Sequence, residues 1–505
     1  MRRFGQTMKR VVLLLIAAAM TLDPLAAASR QDKAFAEIKA QLLGHITELA
    51  SDAYEGREPG TDGEAKTLRY VGKQFFDMGL VSGTNDPGHP WFTPVTVLGR
   101  EPASSRAVFT RKGKRVFVLQ QDVMVYTSGK RALVENAPMV FVGTGKVIPA
   151  RADLAGRVAV LLDDGIEGAD RQTALIQAGA AGVLTVLDGE RTLENITERR
   201  KRLGYALGGE ELGGDIDAYI TGKAMDGALA GTRQSVKSLQ ASAAAPGFAA
   251  MPVDLAVSFE ATTRETKIHT HNFIAKLPGK RPAQGAILLV AHWDHFGKCA
   301  QPPAEHLICN GAIDNASGVA VMIEVARRLA KGPQMDRDVY FLATTAEELG
   351  LLGAKAFAEN PPIPLSQFVA AFNIDSVAIG PAGQSFTIIG QGLTALDPQI
   401  ALVARQQKQK LVMDNRADAF VRRQDAWELL QHDVPAVMVT SSWGDVARVE
   451  AYMDSDYHRP SDVVRPGLEL GAAAQDVEFL VALVRWFADL KRVPYRPAGP
   501  GTQGA

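Results

Sequence analysis

The chain has 505 residues, 46% of them hydrophobic and 22% charged. That is a globular composition and too long for one ordinary core, so two or three domains are expected. With 55 Lys plus Arg against 56 Asp plus Glu and a net charge of −1, there is no basic footprint for nucleic acid. At the start, Arg2, Arg3, Lys9 and Arg10 precede an apolar run at 11–20, followed by Pro24 and Ala26, Ala27 and Ala28. This layout predicts a secretory signal peptide over residues 1–28 and an exported chain, periplasmic or secreted. The run is shorter than the roughly 20 residues that a bilayer span needs. No later stretch is apolar for long enough, so no stable membrane span is expected in the mature chain.

Residues 29–100 read as the first segment of a main domain. "AFAEIKAQLLGHITELAS" and "EAKTLRYVGKQFFDMGL" place apolar residues three and four apart and predict two helices within 33–80, separated by the turn-rich "EGREPGTDGE". The texture then changes. Short β-forming runs such as "APMVFVGTG", "GRVAVLLDDG" and "VLTVLD" flank an Ala-rich helical stretch, "RQTALIQAGAAG". They predict a smaller, β-rich insertion over residues 101–251. Residues 190–250 carry no pattern that assigns them.

Residues 252–493 form the main domain on this reading. Strands are expected at "HNFIAKL", "AILLVAH", "DVYFLAT", "FVAAFNID" and "PAVMVT". Helices are expected at "GVAVMIEVARRLAKG", "LGLLGAKAFAE" and "ELGAAAQDVEFLVALVRWFADL". Apolar strands alternating with amphipathic helices predict an α/β fold with a mainly parallel, doubly wound mixed sheet flanked by helices. The Pro/Gly-rich tail, 494–505, is expected to be disordered.

The acids and histidines fall where such a fold does its chemistry. His292 and Asp294 end one strand, Glu347 and Glu348 follow the next, and Asp375 ends a third. Ligands of open α/β sheets gather outside the carboxyl ends of the strands. Asp314 stands just before one helix and His458 before the last. Zinc takes imidazole nitrogen and carboxylate oxygen, and a two-metal centre needs a shared carboxylate plus about two more ligands per ion. His292, Asp314, Glu348, Asp375 and His458 supply that set. Glu347 is then the spare carboxylate, suited to be a general base. Asp294, two residues after His292, is expected to orient its imidazole. Taken singly, Asp314 is as well explained as a helix cap and the Glu347–Glu348 pair as acids of a first helical turn. Their joint placement is what argues for a site.

Cys299 and Cys309 flank a polar loop. In an exported chain they are expected to form a small staple.

The segments "AHWDHFG", "NGAIDNASG", "ATTAEELGLLGA", "NIDSVA" and "DYHRPSD" resemble the signatures of the di-zinc exopeptidases of peptidase family M28. The resemblance spans about 253–490, together with "LASDAYEGREPGTDGEAKT". It implies the zinc-peptidase fold, peptide substrates and two zinc ions. One ion would be held by His292, Asp314 and Asp375, and the other by Asp314, Glu348 and His458. It further implies a cis peptide between Asp314 and Asn315, Glu347 as general base and Asp294 as orienter. The insertion resembles a protease-associated (PA) domain through "NAPMVFVGTG", "LAGRVAVLLDDG" and "AGAAGVLTV". One departure concerns the substrate pocket: an Arg-Ser-Asp-His stretch of relatives reads here as Arg423, Gln424, Asp425 and Ala426. Trp427 and Trp443 are candidates for lining that pocket. The activity implied is an aminopeptidase. A carboxypeptidase of the glutamate carboxypeptidase type, a one-zinc glutaminyl cyclase-like transferase and an inactive receptor-like binding module are the alternatives.

Overall fold

The computed structural model describes residues 24–163, 169–187, 191–200, 204–210, 214–412 and 415–495. The chain divides into two compact units, one made of Met1–Val95 with His269–Ala505 and the other of Thr96–Ile268. All but the last five residues of the expected signal peptide lie outside the described residues; those five begin the helix Pro24–Leu49. The expected disordered tail lies outside them from residue 496 onward.

In the first unit, strand Ala286–His292 pairs in parallel with Asp338–Thr344 on one side and Phe368–Asn373 on the other. Ala436–Thr440 continues the parallel set. Thr387–Ile389 closes one side antiparallel, and Phe273–Leu277 pairs antiparallel with Val339–Ala343 on the other. The two central strands are buried at every position. Their residues are apolar on both faces because helices cover both. Ile287, Leu289 and Ala291 join a cluster with Val321 and Val325 of helix Gly318–Ala330 and Leu483 of helix Gly471–Ala488. Leu288 and Val290, pointing the other way, join Phe357 and Leu429. Each such fully buried aliphatic side chain contributes about 1.5–3 kcal/mol. Ile38, Leu42 and Ile46 bring helix Pro24–Leu49 onto the first cluster at the spacing its sequence predicts. Helices Asp397–Gln406 and Val446–Ser455 and strand Thr387–Ile389 had no counterpart among the expected elements.

The second unit has its own core. Strands Arg131–Phe141, Val158–Leu162, Gly182–Leu187 and Asp217–Thr221 run in parallel as successive neighbours. Val123–Tyr126 pairs antiparallel with the last of them. Val160, Leu184, Ala218 and Ile220 meet Phe109 and Phe259 in one buried cluster. The unit begins at Thr96 and ends at Ile268, against the expected 101 and 251. The reason is that both changeovers fall inside long strands, Phe92–Arg111 and Met251–Leu277. Residues 251–262 still pair with 131–141, so no turn marks the return to the main unit.

A buried acidic and imidazole cluster at the carboxyl edge of the sheet

Three neighbouring parallel strands bring His292, Glu347, Glu348 and Asp375 to one edge of the sheet, since each strand ends at or just before them. The backbone turns sharply there: Ala346, Ser376 and His458 all have positive φ, between 51° and 56°. Left-handed conformations at residues with side chains gather at functional sites, where surrounding structure enforces them. Asp314 arrives from an irregular turn, Ala312–Ser317, and its peptide bond to Asn315 is cis.

The side chains converge on Asp314. Its Oδ1 is 3.2 Å from His292 Nε2, and its Oδ2 is 3.2 Å from His458 Nε2. His292 Nε2 is also 3.4 Å from Asp375 Oδ1 and 3.9 Å from Glu347 Oε2. His458 Nε2 is 3.0 Å from Glu348 Oε2. Candidate ligand atoms of His292, Glu347 and Asp375 lie within 4.8 Å of one another, as do those of His292, Asp314 and Glu348. The side chains of His292, Asp314 and Glu348 are almost fully buried, whereas His458 is 33% exposed and marks the open side. Tyr457 stacks on the His458 ring at 3.6 Å between centroids, and Phe296 meets it edge-on at 4.5 Å.

The electrostatics are those of crowded acids out of water. Burial pushes the Glu347 carboxyl well above the ordinary range, helped by the carboxylates of Glu348 and Asp375. Burial also raises Asp375, and it carries Asp294 up to about 8 and Asp425 to about 6. Asp314 goes the other way. Burial would raise it, but the imidazoles of His292 and His458 that face it hold it well below the usual value. Burial lowers both imidazoles, yet the surrounding carboxylates carry His292 well above its ordinary value and His458 to about 9.

This donor set fits divalent metal. Carboxylate oxygens and imidazole nitrogens are what zinc takes. His458 Nε2 stands within 3.2 Å of two carboxylate oxygens but is in hydrogen-bond geometry with no partner. An imidazole and two carboxylates that crowd without bonding one another suit a shared centre between them. Asp314, with one oxygen on each side, is positioned to bridge two such centres.

Asp294 differs from its expected place. His292 Nδ1 faces the main-chain carbonyl of Asp294 at 3.2 Å, while the Asp294 carboxylate stands 3.9 Å away. That carboxylate instead accepts the Glu347 N–H at 3.2 Å and so fixes the turn that presents Glu347. Cys299 and Cys309 form a disulfide with Cα atoms 5.7 Å apart, away from the ligand cluster in role. It closes the loop leading to Asn310 and Gly311. Trp443 lines a pocket with Asp375, Phe420, Arg423, Met453 and Tyr457, and donates its indole N–H to the Ser376 carbonyl. Trp427 does not line it and lies under the Arg422 guanidinium, 5.0 Å away.

Four further residues make bonds at the site that the sequence pattern does not assign to them. His295 Nδ1 contacts Glu348 Oε1 at 2.5 Å, so Glu348 lies between two imidazoles. The "AHWDH" spacing, three residues beyond His292, was the available signal. Asn315 accepts from Gly318 N and Ser376 N and donates to the Ile374 carbonyl, tying the Asp314 turn to the Asp375 strand end. Ser317 makes a parallel tie to Val377 N. Gln424, at the departure from the family pattern, accepts from Asn373 Nδ2 at 2.7 Å.

Comparison with known proteins bears on the family and the fold. The profile of Peptidase family M28 matches residues 272–481. The alkaline phosphatase isozyme conversion protein of Escherichia coli is 31% identical over 129 residues, 24% of this chain and 36% of that protein. Aminopeptidase YwaD of Bacillus subtilis is 43% identical over 68 residues, 13% of this chain and 15% of that one. The chain thus spans little more than a third, or less, of the length of these curated relatives. Among solved structures, an aminopeptidase from Aneurinibacillus sp. strain AM-1 superposes with a TM-score of 0.53 at 19% identity, covering 91% of this chain and 96% of that one. That likeness is one of fold.

Proposed function

We propose, from the match of residues 272–481 to Peptidase family M28, that the chain is a member of that family and a zinc-dependent exopeptidase, an aminopeptidase releasing N-terminal residues from peptides. The observation that carries the reading is Asp314, with one carboxylate oxygen 3.2 Å from each of two imidazoles. His292, Asp314 and Asp375 would hold one zinc ion, and Asp314, Glu348 and His458 the other. Two ions bound there would supply Lewis acidity to the scissile carbonyl and acidify the attacking water.

The chain's own residues do the rest. Glu347 takes the proton of the attacking water and returns it to the leaving amine. Its burial beside other acids makes it basic, which suits a proton acceptor. Asp294 keeps Glu347 in place through its main-chain N–H. The aromatic residues Phe420, Trp443 and Tyr457, which line a small pocket that shares Asp375 with the cluster, would lie beside the N-terminal side chain. The acids around it would meet the free α-amine.

Export of the chain is part of the same proposal. The Cys299–Cys309 disulfide supports an oxidising compartment, and among the described residues no helix is long and apolar enough to cross a membrane. The Thr96–Ile268 unit is read as the protease-associated insertion.

One observation favours a second reading. A carboxypeptidase needs a cation for the substrate carboxylate, and Arg423 lines the same pocket as Asp375, resting on the Phe420 and Tyr457 rings. Metal analysis with aminoacyl-p-nitroanilides and N-blocked peptides separates the two. About two zinc ions per chain, with turnover of free N-termini only, is the expected result. Release of C-terminal residues from N-blocked peptides would establish the carboxypeptidase instead. A metal-free protein inert on both would leave a binding module.

A further inference from the structure

We propose that Arg57 and Asp462 form a two-sided main-chain clamp that positions the bridging Asp314, making them positioning residues for the metal centre although neither touches a ligand side chain. The inference rests on the two-metal reading above.

The stretch from Asn310 to Asp314 is gripped from opposite chemical sides. Arg57 holds its carbonyls: Nη1 donates to the Asn310 carbonyl at 2.6 Å and Nη2 to the Gly311 carbonyl at 2.9 Å. The same guanidinium reaches the Trp293 carbonyl at 2.8 Å, next to His292, and the Leu49 carbonyl at 3.0 Å. Asp462 holds the amides. Its carboxylate accepts from Ile313 N at 2.9 Å and Asp314 N at 3.1 Å, and its main-chain carbonyl accepts from Ala312 N at 3.2 Å. Tyr452 fixes that carboxylate with a 3.0 Å bond.

Both groups are expensive to bury, and both are buried: Arg57 is 1% exposed and Asp462 2%. A buried charge that forms no close ion pair must obtain its compensation from hydrogen bonds. Here most of those bonds fall on five consecutive residues, Asn310 to Asp314, that end at the bridging carboxylate. Gly311 completes the fit, with φ of +55° and no room for a side chain. A Cβ there would lie 2.8 Å from Arg57 Nη2 and 2.0 Å from the Asp314 carbonyl. Asp462 is also four residues beyond His458 in the same loop. One loop therefore carries both a ligand and the anchor of the ligand it shares a centre with.

The molecule contains a matched control. Arg337 is equally buried and also spends its guanidinium on carbonyls, those of Gln284, Phe487 and Val493. It stands at the start of strand Asp338–Thr344, the end remote from the ligands. Its loss should cost stability alone.

The test uses the full chain, stripped of metal and titrated with zinc against a chromophoric chelator, and separately loaded with cobalt for its visible spectrum. Asp462→Asn keeps the shape but removes the charge and one of the two carboxylate oxygens that accept from the Ile313 and Asp314 amides. It should weaken zinc binding about 10–100-fold and shift the cobalt bands. Arg57→Met should also shift the bands, and Arg57→Lys should restore them in part. Arg337→Lys should lower the melting temperature and leave zinc affinity and cobalt spectrum as in the parent. If Asp462→Asn fails to fold, the Arg57→Lys and Arg337→Lys pair still decides. Parental zinc affinity and spectrum in folded Asp462→Asn or Arg57→Met, or equal losses in the Arg57 and Arg337 variants, overturn the clamp. A parent chain that binds no zinc overturns the two-metal reading instead, which keeps the two failures apart.

Discussion

Both units of this chain set acids against parallel strands, and they compensate those acids in different ways. In the Thr96–Ile268 unit, Asp163 follows strand Val158–Leu162 and meets the guanidinium of Arg191 at 3.1 Å. Asp217 meets that of Arg200. In the first unit, Asp314, Glu348 and Asp375 face imidazoles, and the nearest buried arginine, Arg57, bonds main-chain carbonyls instead. An arginine beside a carboxylate is a permanent counter-ion that closes the site to other cations. An imidazole is a neutral ligand when deprotonated and leaves the acids' charge for a metal. The nature of the partner, more than burial or strand-end position, separates a structural acid from a candidate ligand.

The sharpest way to break this contrast is at the acid shared by both imidazoles. Asp314→Asn keeps the volume but removes the bridging charge. The expected outcome is loss of at least one bound zinc per chain and of nearly all peptidase activity, read by metal analysis on the purified protein and by an aminoacyl-p-nitroanilide assay. Retention of both ions with near-parental turnover would end the two-metal reading. Glu347→Gln is the next largest. It is expected to lower kcat about 10²–10⁴-fold while zinc content stays unchanged, because Glu347 is not among the five ligands. A variant that instead loses zinc would make Glu347 a ligand and reassign the base.

The candidate ligands on the strands were legible because strand ends are legible: "AILLVAH" and "FVAAFNID" announce both a buried parallel strand and the polar residue that stops it. His458 was different. It follows helix Val446–Ser455, an element the sequence pattern did not announce, and only the "DYHRPSD" resemblance singled it out. What stayed hidden acts through the main chain. Nothing in the letters says that Arg57 bonds four carbonyls, or that Asp462 accepts amides from the Asp314 turn, since any residue supplies those groups. Asp294 illustrates the same point. Two-residue spacing put it beside His292, but the nearby Glu347 N–H captured its carboxylate. The unit boundaries escaped for a related reason. They lie within strands whose alternation continues unbroken while the pairing partner changes.

The contrast can be sharpened from the structural side. Arg191→Met removes the counter-ion of Asp163, whose side chain is 2% exposed. Breaking a buried pair in this way should cost about 3 kcal/mol, seen as a lower melting temperature. Zinc content, kcat and KM of the folded enzyme should match the parent. A change in zinc affinity would show that this acid is coupled to the site after all.

Asp476 supplies a third kind of partner, and its effect is confined to a narrow pH window. It is fully buried and accepts from the hydroxyls of Thr440 and Ser441 and from Ser441 N, with no cation paired to it among the described residues. Those bonds favour the carboxylate, but burial outweighs them and pushes its pKa to about 6. The unfolded chain releases this proton near the ordinary value of about 3.9. Below that value both states hold the proton, and the group does not tilt the balance. Between about pH 4 and 6 the unfolded state binds fewer protons, so stability falls as pH rises, by up to about 3 kcal/mol. Above about 6 the loss is complete and flat. Asp476→Asn cannot titrate, so the difference in unfolding free energy between variant and parent should move in favour of the variant across that window and stay constant outside it. A difference with no pH dependence would mean that the hydroxyl and amide donors hold Asp476 ionised throughout. Neutral donors would then compensate a buried acid as fully as an arginine does, and the distinction between the two units would have to rest on the imidazoles alone.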